Sequence, residues 1–549
     1  MKIKSSLVLI GMLFSAALQA QIAPEKYFVP FTNKTNTPFE ISNPSDFLSH
    51  AALLRRARQN IPITEQDLPV NPEYITQILA QGDVKLLYPL KWFNGVVIET
   101  TDSSALDKIE GLPFVNPDFR RSFKNIQNRS STSSKLQLEV QQSNALYQTD
   151  FGAAQKQTDL IHLTPLHQQN YRGDEMHIGI FDSGFQGADT LLAFEKVFRE
   201  QRVLETFDLV DGGSIAYDAH SHGMYVWSCM VSDLPFLLVG TAPDADYSLF
   251  RTEDVATEYI IEEFNWVAAA EKADSLGVDI INTSLGYTEF DDSTMNHTYE
   301  DMDGNSTPAA VGANMAASKG ILVVVSAGNS GNSPWRYIST PSDADHALCV
   351  GAVDDSGQIA NFSSRGFSAD GDVKPNVVAH GQFSAVWNYG NEVANVNGTS
   401  FSSPITAGAA ASLWSANRDM TNFQIKSAIE RSAHLYENPN EDYGYGLPDF
   451  EKAHLILQDV RNGFQQDEWV IYPNPSVYSN LTLGYLGQEN IALELEVFNS
   501  VGQLVHTIKK ETAFRQIRIN TSGNWPPGNY VVVIRTGDQT VYKKWIKLR

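Results

Sequence analysis

Cysteine is nearly absent, with two in 549 residues. Two thiols cannot build the multi-bridge framework of a small disulfide-stabilised domain, so burial must hold this chain together. Cys229 and Cys349 lie in the apolar runs WSCMV and ALCVGAV and read as buried side chains, their pairing left open. Basic residues are also scarce: 40 Lys and Arg face 64 Asp and Glu, a formal charge of −24. That sign is wrong for a phosphate backbone or an anionic membrane surface and argues against nucleic acid as a partner. Beyond the N-terminus no apolar run approaches the roughly 20 residues of a spanning helix, so no transmembrane anchor is expected. The opening segment MKIKSSLVLIGMLFSAALQA has Lys2 and Lys4, a short apolar core and small residues before Gln21. This is the layout of a secretory signal peptide, residues 1–20, cut after Ala20.

The length exceeds what one hydrophobic core supports, so several domains are expected. In residues 21–125 the run DFLSHAALLRRARQ has helical spacing, and KLLYPLKWFNGVVIET reads as two strands around Asn94-Gly95, together a small α+β unit. Residues 126–146 are polar and rich in Ser and Asn, an exposed linker suited to proteolytic cutting. Over 147–460, short apolar runs (MHIGIF, DYSLF, VDIINTSL, ILVVVSA, ALCVGAV) alternate with helix-patterned stretches. That alternation predicts an α/β domain with a parallel sheet covered by helices on both faces. After a short linker at 461–467, residues 468–549 change to alternating strands with turn residues and predict a small β-sandwich. From Gln466 onward seven acidic and nine basic residues nearly cancel, so the negative excess belongs to the upstream part.

Three short motifs carry the candidate chemistry. The run MHIGIF leads into Asp182-Ser183-Gly184, placing a carboxylate at a strand's carboxyl end, where α/β sheets gather reactive groups. Alone, this is a common turn sequence. His220-Ser221-His222-Gly223 opens the apolar helix-like run MYVWSCMV and would hold an imidazole at a helix start. Asn397-Gly398-Thr399-Ser400-Phe401-Ser402-Ser403-Pro404 precedes a small-residue helix whose N-terminus would carry a serine hydroxyl, or simply be capped by it. The chain order Asp, His, Ser separates this arrangement from lipases and esterases, which need a G-x-S-x-G elbow and the order Ser, acid, His.

With the order established, DSG, SHG and GTSxxSP resemble the three active-site motifs of the subtilase family of serine endopeptidases. Further similarities are GTAPDADYSLFR, NTSLG at 282–286, VVVSAGNSG at 323–331 and NFSSRG at 361–366. The resemblance implies a subtilisin-like fold and an enzyme hydrolysing polypeptides. His222 would be the base that activates Ser400, and Asp182 the carboxylate that orients the imidazole. The resemblance makes Asn329 the side-chain donor to the oxyanion, although an Asn-Gly turn would explain it too. It also makes Ser284, Leu285 and Gly286 one backbone edge of the substrate groove, pairing with an extended peptide. His220 is a rival base, but motif alignment favours His222. A catalytically silent binding or surface protein of the same fold is the alternative function.

Departures from the family pattern are local. HGTHVAG becomes His222-Gly223-Met224-Tyr225-Val226-Trp227-Ser228, and VAPG becomes Val378-Ala379-His380-Gly381, where an exposed His380 is the plain reading. Residues 90–118 (LKWFNGVVIETTDSSALDKIEGLPFVNPD) resemble the second half of subtilase inhibitory propeptides, which implies a zymogen inhibited by its own propeptide. WVIYPNP, VFNSVGQLV and PPGNYVVVIRTGDQTVYKKWIKL resemble the C-terminal sorting domain of type IX secretion, which implies export through periplasm and outer membrane to the surface or medium. The chemistry needs no cofactor. Asp301, Asp303 and Asn305 offer oxygens at alternate positions, as a structural calcium site would, but lack the closing acidic residue of an EF-hand and read first as a capping turn.

Overall fold

The computed structural model describes residues 21–117, 141–142, 150–215, 217–461, 469–472, 476, 480–485, 492–510, 516–521, 525–537 and 539–548. The expected signal segment, nearly all of the linker at 126–146 and the linker at 461–467 apart from Arg461 lie outside the described residues.

The N-terminal unit is α+β, as expected. It contains β1 (Gln21–Ala23), β2 (Lys26–Pro30), α1 (His50–Arg58), α2 (Pro72–Leu79), β3 (Lys85–Leu90), β4 (Gly95–Glu99) and α3 (Ser103–Glu110). Side chains start the helices: Ser49 accepts from Ala52 N, Asn71 from Glu73 N ahead of Pro72, and Asp102 from Ser104 N and Ala105 N. The β3–β4 hairpin turns at Asn94, whose φ of 49° asparagine tolerates better than most residues. The sheet is antiparallel in the order β1-β2-β4-β3. Val29, Val96 and Ile98 pack on Ile78 of α2 and on Leu106 and Ile109 of α3. Ile22, Phe28 and Val97 instead join a core with the next domain.

That domain is built on β5 (His177–Asp182), β6 (Val203–Asp208), α4 (His222–Val231), β7 (Asp246–Arg251), α5 (Ile261–Leu276) and β8 (Ile280–Thr283). It continues with α6 (Pro308–Ser318), β9 (Leu322–Ser326), β10 (Leu348–Val353), β11 (Val377–His380), β12 (Gln382–Trp387), β13 (Val393–Asn397) and α7 (Thr399–Ser415). Seven strands form one parallel sheet, β11-β10-β9-β8-β5-β7-β6. Every residue of β5, β8, β9 and β10 is buried, which is why these strands read as continuous apolar runs rather than alternating ones. Ile178, Ile180 and Val324 face α4 and α7, while Phe181, Ile281, Val323 and Val325 face α5 and α6. The antiparallel pair β12–β13 carries Gln141–Gln142 along its outer edge and delivers the chain to α7.

The C-terminal unit has two antiparallel sheets. The first consists of residues Trp469–Tyr472, Asn480–Tyr485 and Gln516–Asn520, the second of Leu493–Asn499, Leu504–Lys510, Gly528–Thr536 and Gln539–Lys547. Trp469, Leu481, Leu483, Leu495, Val497, Tyr530 and Trp545 fill the space between them, a small β-sandwich as the alternation predicts.

Candidate active site

Three adjacent parallel strands end at one place. Asp182 closes β5, Ser284 follows β8, and Asn329 follows β9 across the tight turn at Gly328. Two helix N-termini meet them, with His222 as the first residue of α4 and Ser400 as the second of α7. The fold therefore brings residues from five separate elements to one end of the sheet.

Asp182, His222 and Ser400 are respectively 0%, 2% and 6% exposed, so the first pair meets in a site nearly closed to water. His222 Nδ1 lies 2.7 Å from Asp182 Oδ1. The same oxygen accepts from Ser183 N at 2.8 Å and from Ser183 Oγ at 3.2 Å, while Oδ2 has no partner among the described residues. A carboxylate there orients the ring with its proton on Nδ1 and leaves Nε2 as the basic nitrogen. Close packing fixes the approach of α4: a Cβ on Gly223 would fall 2.5 Å from Gly184 O and 2.8 Å from Asp182 Cβ.

Ser400 Oγ donates to Ser284 O at 3.2 Å, and Ser284 Oγ returns a hydrogen bond to Ser400 O at 2.8 Å. No hydrogen bond joins the Ser400 hydroxyl to the His222 ring among the described residues; the hydroxyl rests on the β8 edge. The reciprocal pair ties the serine helix to the segment carrying Ser284, Leu285 and Gly286. Asn329 Oδ1 accepts from Thr399 N at 2.9 Å and from Thr399 Oγ1 at 3.0 Å. Because a backbone N–H can only donate, this fixes the amide orientation, with Nδ2 as the donor left for another acceptor.

His380 is 4% exposed, not exposed as the sequence suggested; β11 carries it inward, and burial lowers its pKa to about 4. Both cysteines are free and buried, and burial raises the Cys349 thiol to about 11 and the Cys229 thiol further. Asp301 and Asp303 are engaged in caps: Asp301 Oδ2 accepts from Thr298 N and Oγ1, and Asp303 from the backbone of Asn305 and Ser306 and from Ser306 Oγ. Asn305 lies beside Asp345 and Asn314. Carboxylates converge instead at Asp345, Asp370 and Asp372 and at Glu253, Glu258 and Glu262, among the described residues. Sequence reasoning missed these groups: Asp345 meets Asp370 and Asp372 only through the fold, and Glu253, Glu258 and Glu262 run from a loop into α5 without a recognisable ligand spacing. It also missed Ser183 and His220 as partners of Asp182 and His222, although both sit inside the quoted motifs.

Three family descriptions match successive stretches. The subtilase family covers residues 173–446, the Bacteroidota peptidase S8 propeptide domain covers 26–137, and the secretion system C-terminal sorting domain covers 470–548. Subtilisin DY of Bacillus licheniformis is 28% identical over 298 residues, 54% of this chain and 96% of its own. Subtilisin E of Bacillus subtilis is 28% identical over 292 residues, 52% and 68% of the two chains. A thermophilic serine proteinase of Bacillus sp. strain AK1 is 30% identical over 247 residues, 45% of this chain and 55% of the other. The sorting domain directs the product across the outer membrane, to the surface or the medium. On this domain sequence, and on a seven-stranded parallel sheet whose strand ends collect an aspartate, a histidine and a serine, the chain belongs to the subtilase family of serine endopeptidases.

Proposed function

We propose that the chain is a zymogen whose Asp182, His222 and Ser400 cut polypeptides as a catalytic triad, with Asn329 completing the oxyanion hole. The observation that carries this reading is the buried 2.7 Å contact between His222 Nδ1 and Asp182 Oδ1, at the strand edge that also holds Ser400. A peptide lying along Ser284-Leu285-Gly286 presents its carbonyl to Ser400. The hydroxyl leaves Ser284 O and passes its proton to His222 Nε2 as Oγ attacks the carbonyl carbon. The imidazolium formed is stabilised by Asp182. The negative oxygen of the tetrahedral intermediate accepts from Asn329 Nδ2 and from the Ser400 backbone N–H at the start of α7. His222 then protonates the leaving amine, and water repeats the cycle in reverse to free the acyl group. Apart from the hydrolytic water, every step uses side chains and backbone of the chain itself.

Before activation the propeptide packs on α5 and α6, with Phe28 against Phe264 and the Tyr88 hydroxyl donating to Asn265 Oδ1 at 2.5 Å. The test is hydrolysis of unfolded casein by the exported protein, compared with Ser400→Ala and with phenylmethylsulfonyl fluoride, while mass spectrometry follows loss of the propeptide. Activity and self-processing that disappear in Ser400→Ala are the expected result. An inert but fully processed wild type would assign the chain to the silent binding proteins of this fold.

A further inference from the structure

The histidine two residues before His222 has contacts that the triad itself does not explain. His220 Nδ1 lies 3.3 Å from the backbone N of His222 and 3.0 Å from Ser183 Oγ. Ser183 Oγ in turn reaches Asp182 Oδ1 at 3.2 Å, the oxygen that also meets His222 Nδ1. A closed circuit therefore runs His222, Asp182, Ser183, His220 and back to His222. Its backbone is held rigidly: a Cβ on Gly184 would lie 2.6 Å from His220 O and 2.7 Å from His220 N, and Gln186 N donates to His220 O.

We propose that His220 is a positioning residue of the catalytic centre: its Nδ1 lone pair holds the His222 backbone and the Ser183 hydroxyl, and protonation of the ring releases that hold. The inference rests on the triad reading above. A backbone N–H only donates, so the contact from His222 N requires Nδ1 to be an acceptor, with the neutral ring's proton on Nε2. The Ser183 hydroxyl is then divided between His220 Nδ1 and Asp182 Oδ1. Protonating His220 makes Nδ1 a donor. It then opposes the His222 N–H and turns the Ser183 hydroxyl wholly onto Asp182 Oδ1, where it competes with His222 Nδ1. It also sets a cation in a ring whose centre lies 6.5 Å from that of His222, disfavouring the imidazolium that catalysis must form.

The titratable groups acting on the His220 ring are His222 of α4 and Asp182 at the end of β5. Burial first, and His222 second, lower its pKa, with Asp182 opposing them. Protonation of either ring then stops turnover. The acid limb of the rate profile should fall with two protons rather than one.

The test is the pH profile of kcat/KM for the self-processed full chain and its His220→Asn and His220→Ala variants. Asn keeps an acceptor near the Nδ1 position but does not titrate. It should hold the plateau within about twofold and reduce the acid-limb slope from about two to about one. Ala removes the acceptor and should lower kcat about tenfold with little change in KM. Equal slopes in wild type and His220→Asn, or an unchanged kcat in His220→Ala, would overturn the proposal. Where the variants do not self-process, proton NMR of the two rings in the unprocessed Ser400→Ala chain decides. Coupled titration of His220 and His222 supports the proposal, and two independent single-site curves overturn it. An inert wild type would defeat the triad reading alone, because the NMR titration needs no turnover.

Discussion

Arg55 of the propeptide reaches Asp274 of α5 at 2.5 Å, with both side chains shut off from solvent. Arg56 joins the same carboxylate at 2.9 Å and Lys91 approaches it at 3.3 Å, so one catalytic-domain aspartate holds three propeptide cations. Their charges keep the Asp274 carboxyl well below the usual range despite its burial.

Asp274→Asn should therefore weaken propeptide retention. Removing one partner from a buried ionic cluster typically costs about 3–5 kcal/mol, because the remaining charges stay desolvated. The processed variant should show a much shorter lag before casein hydrolysis than wild type. An unchanged lag would mean that the apolar face of the propeptide sheet carries the affinity.

Glu271, one turn earlier on α5, accepts from Lys91 N at 2.7 Å and Trp92 N at 2.8 Å. Burial is the largest influence on it and raises its pKa from 4.5 to about 7, with Lys91 opposing. Because the value in the assembled zymogen exceeds the ordinary one, its contribution is fully present below about 4.5 and is lost as pH rises through about 7. Propeptide release should accelerate over that window, and Glu271→Gln should flatten the dependence. Release rates measured from pH 5 to 8 check this.

Asn329→Ala should retain the fold and self-associate with its propeptide as wild type does, but lose turnover. Loss of one oxyanion donor costs about 2.7–4 kcal/mol, or roughly 10²–10³ in kcat. Steady-state kinetics on a peptide amide should show the loss in kcat with KM nearly unchanged.

Gly223→Ala should inactivate by displacement. The added Cβ meets Gly184 O and Asp182 Cβ well inside contact distance, so α4 must shift away from Asp182. A movement of this order costs about 100-fold in rate where reacting groups must stay aligned. Circular dichroism unchanged alongside that loss separates misalignment from unfolding.

Periodicity and motif order were legible in the residues alone. The unbroken apolar run of β5 announced a strand buried on both faces and placed Asp182 at its end. Helical spacing marked α1, and Asn94-Gly95 marked the hairpin. The order Asp, His, Ser pointed to the subtilase family. Tertiary structure alone decided the partners. Arg55 and Arg56 look like solvated positions of an amphipathic helix, yet they are buried because Asp274, more than 200 residues away, is there to meet them. His380 looks exposed and is not, because β11 carries it inward. Ser183 reads as part of a common turn sequence and His220 as a rival base until the fold closes their circuit with Asp182 and His222. Local sequence reports the preferences of a segment for its own geometry, but which distant charge or lone pair compensates a buried polar group is settled only when the chain is packed.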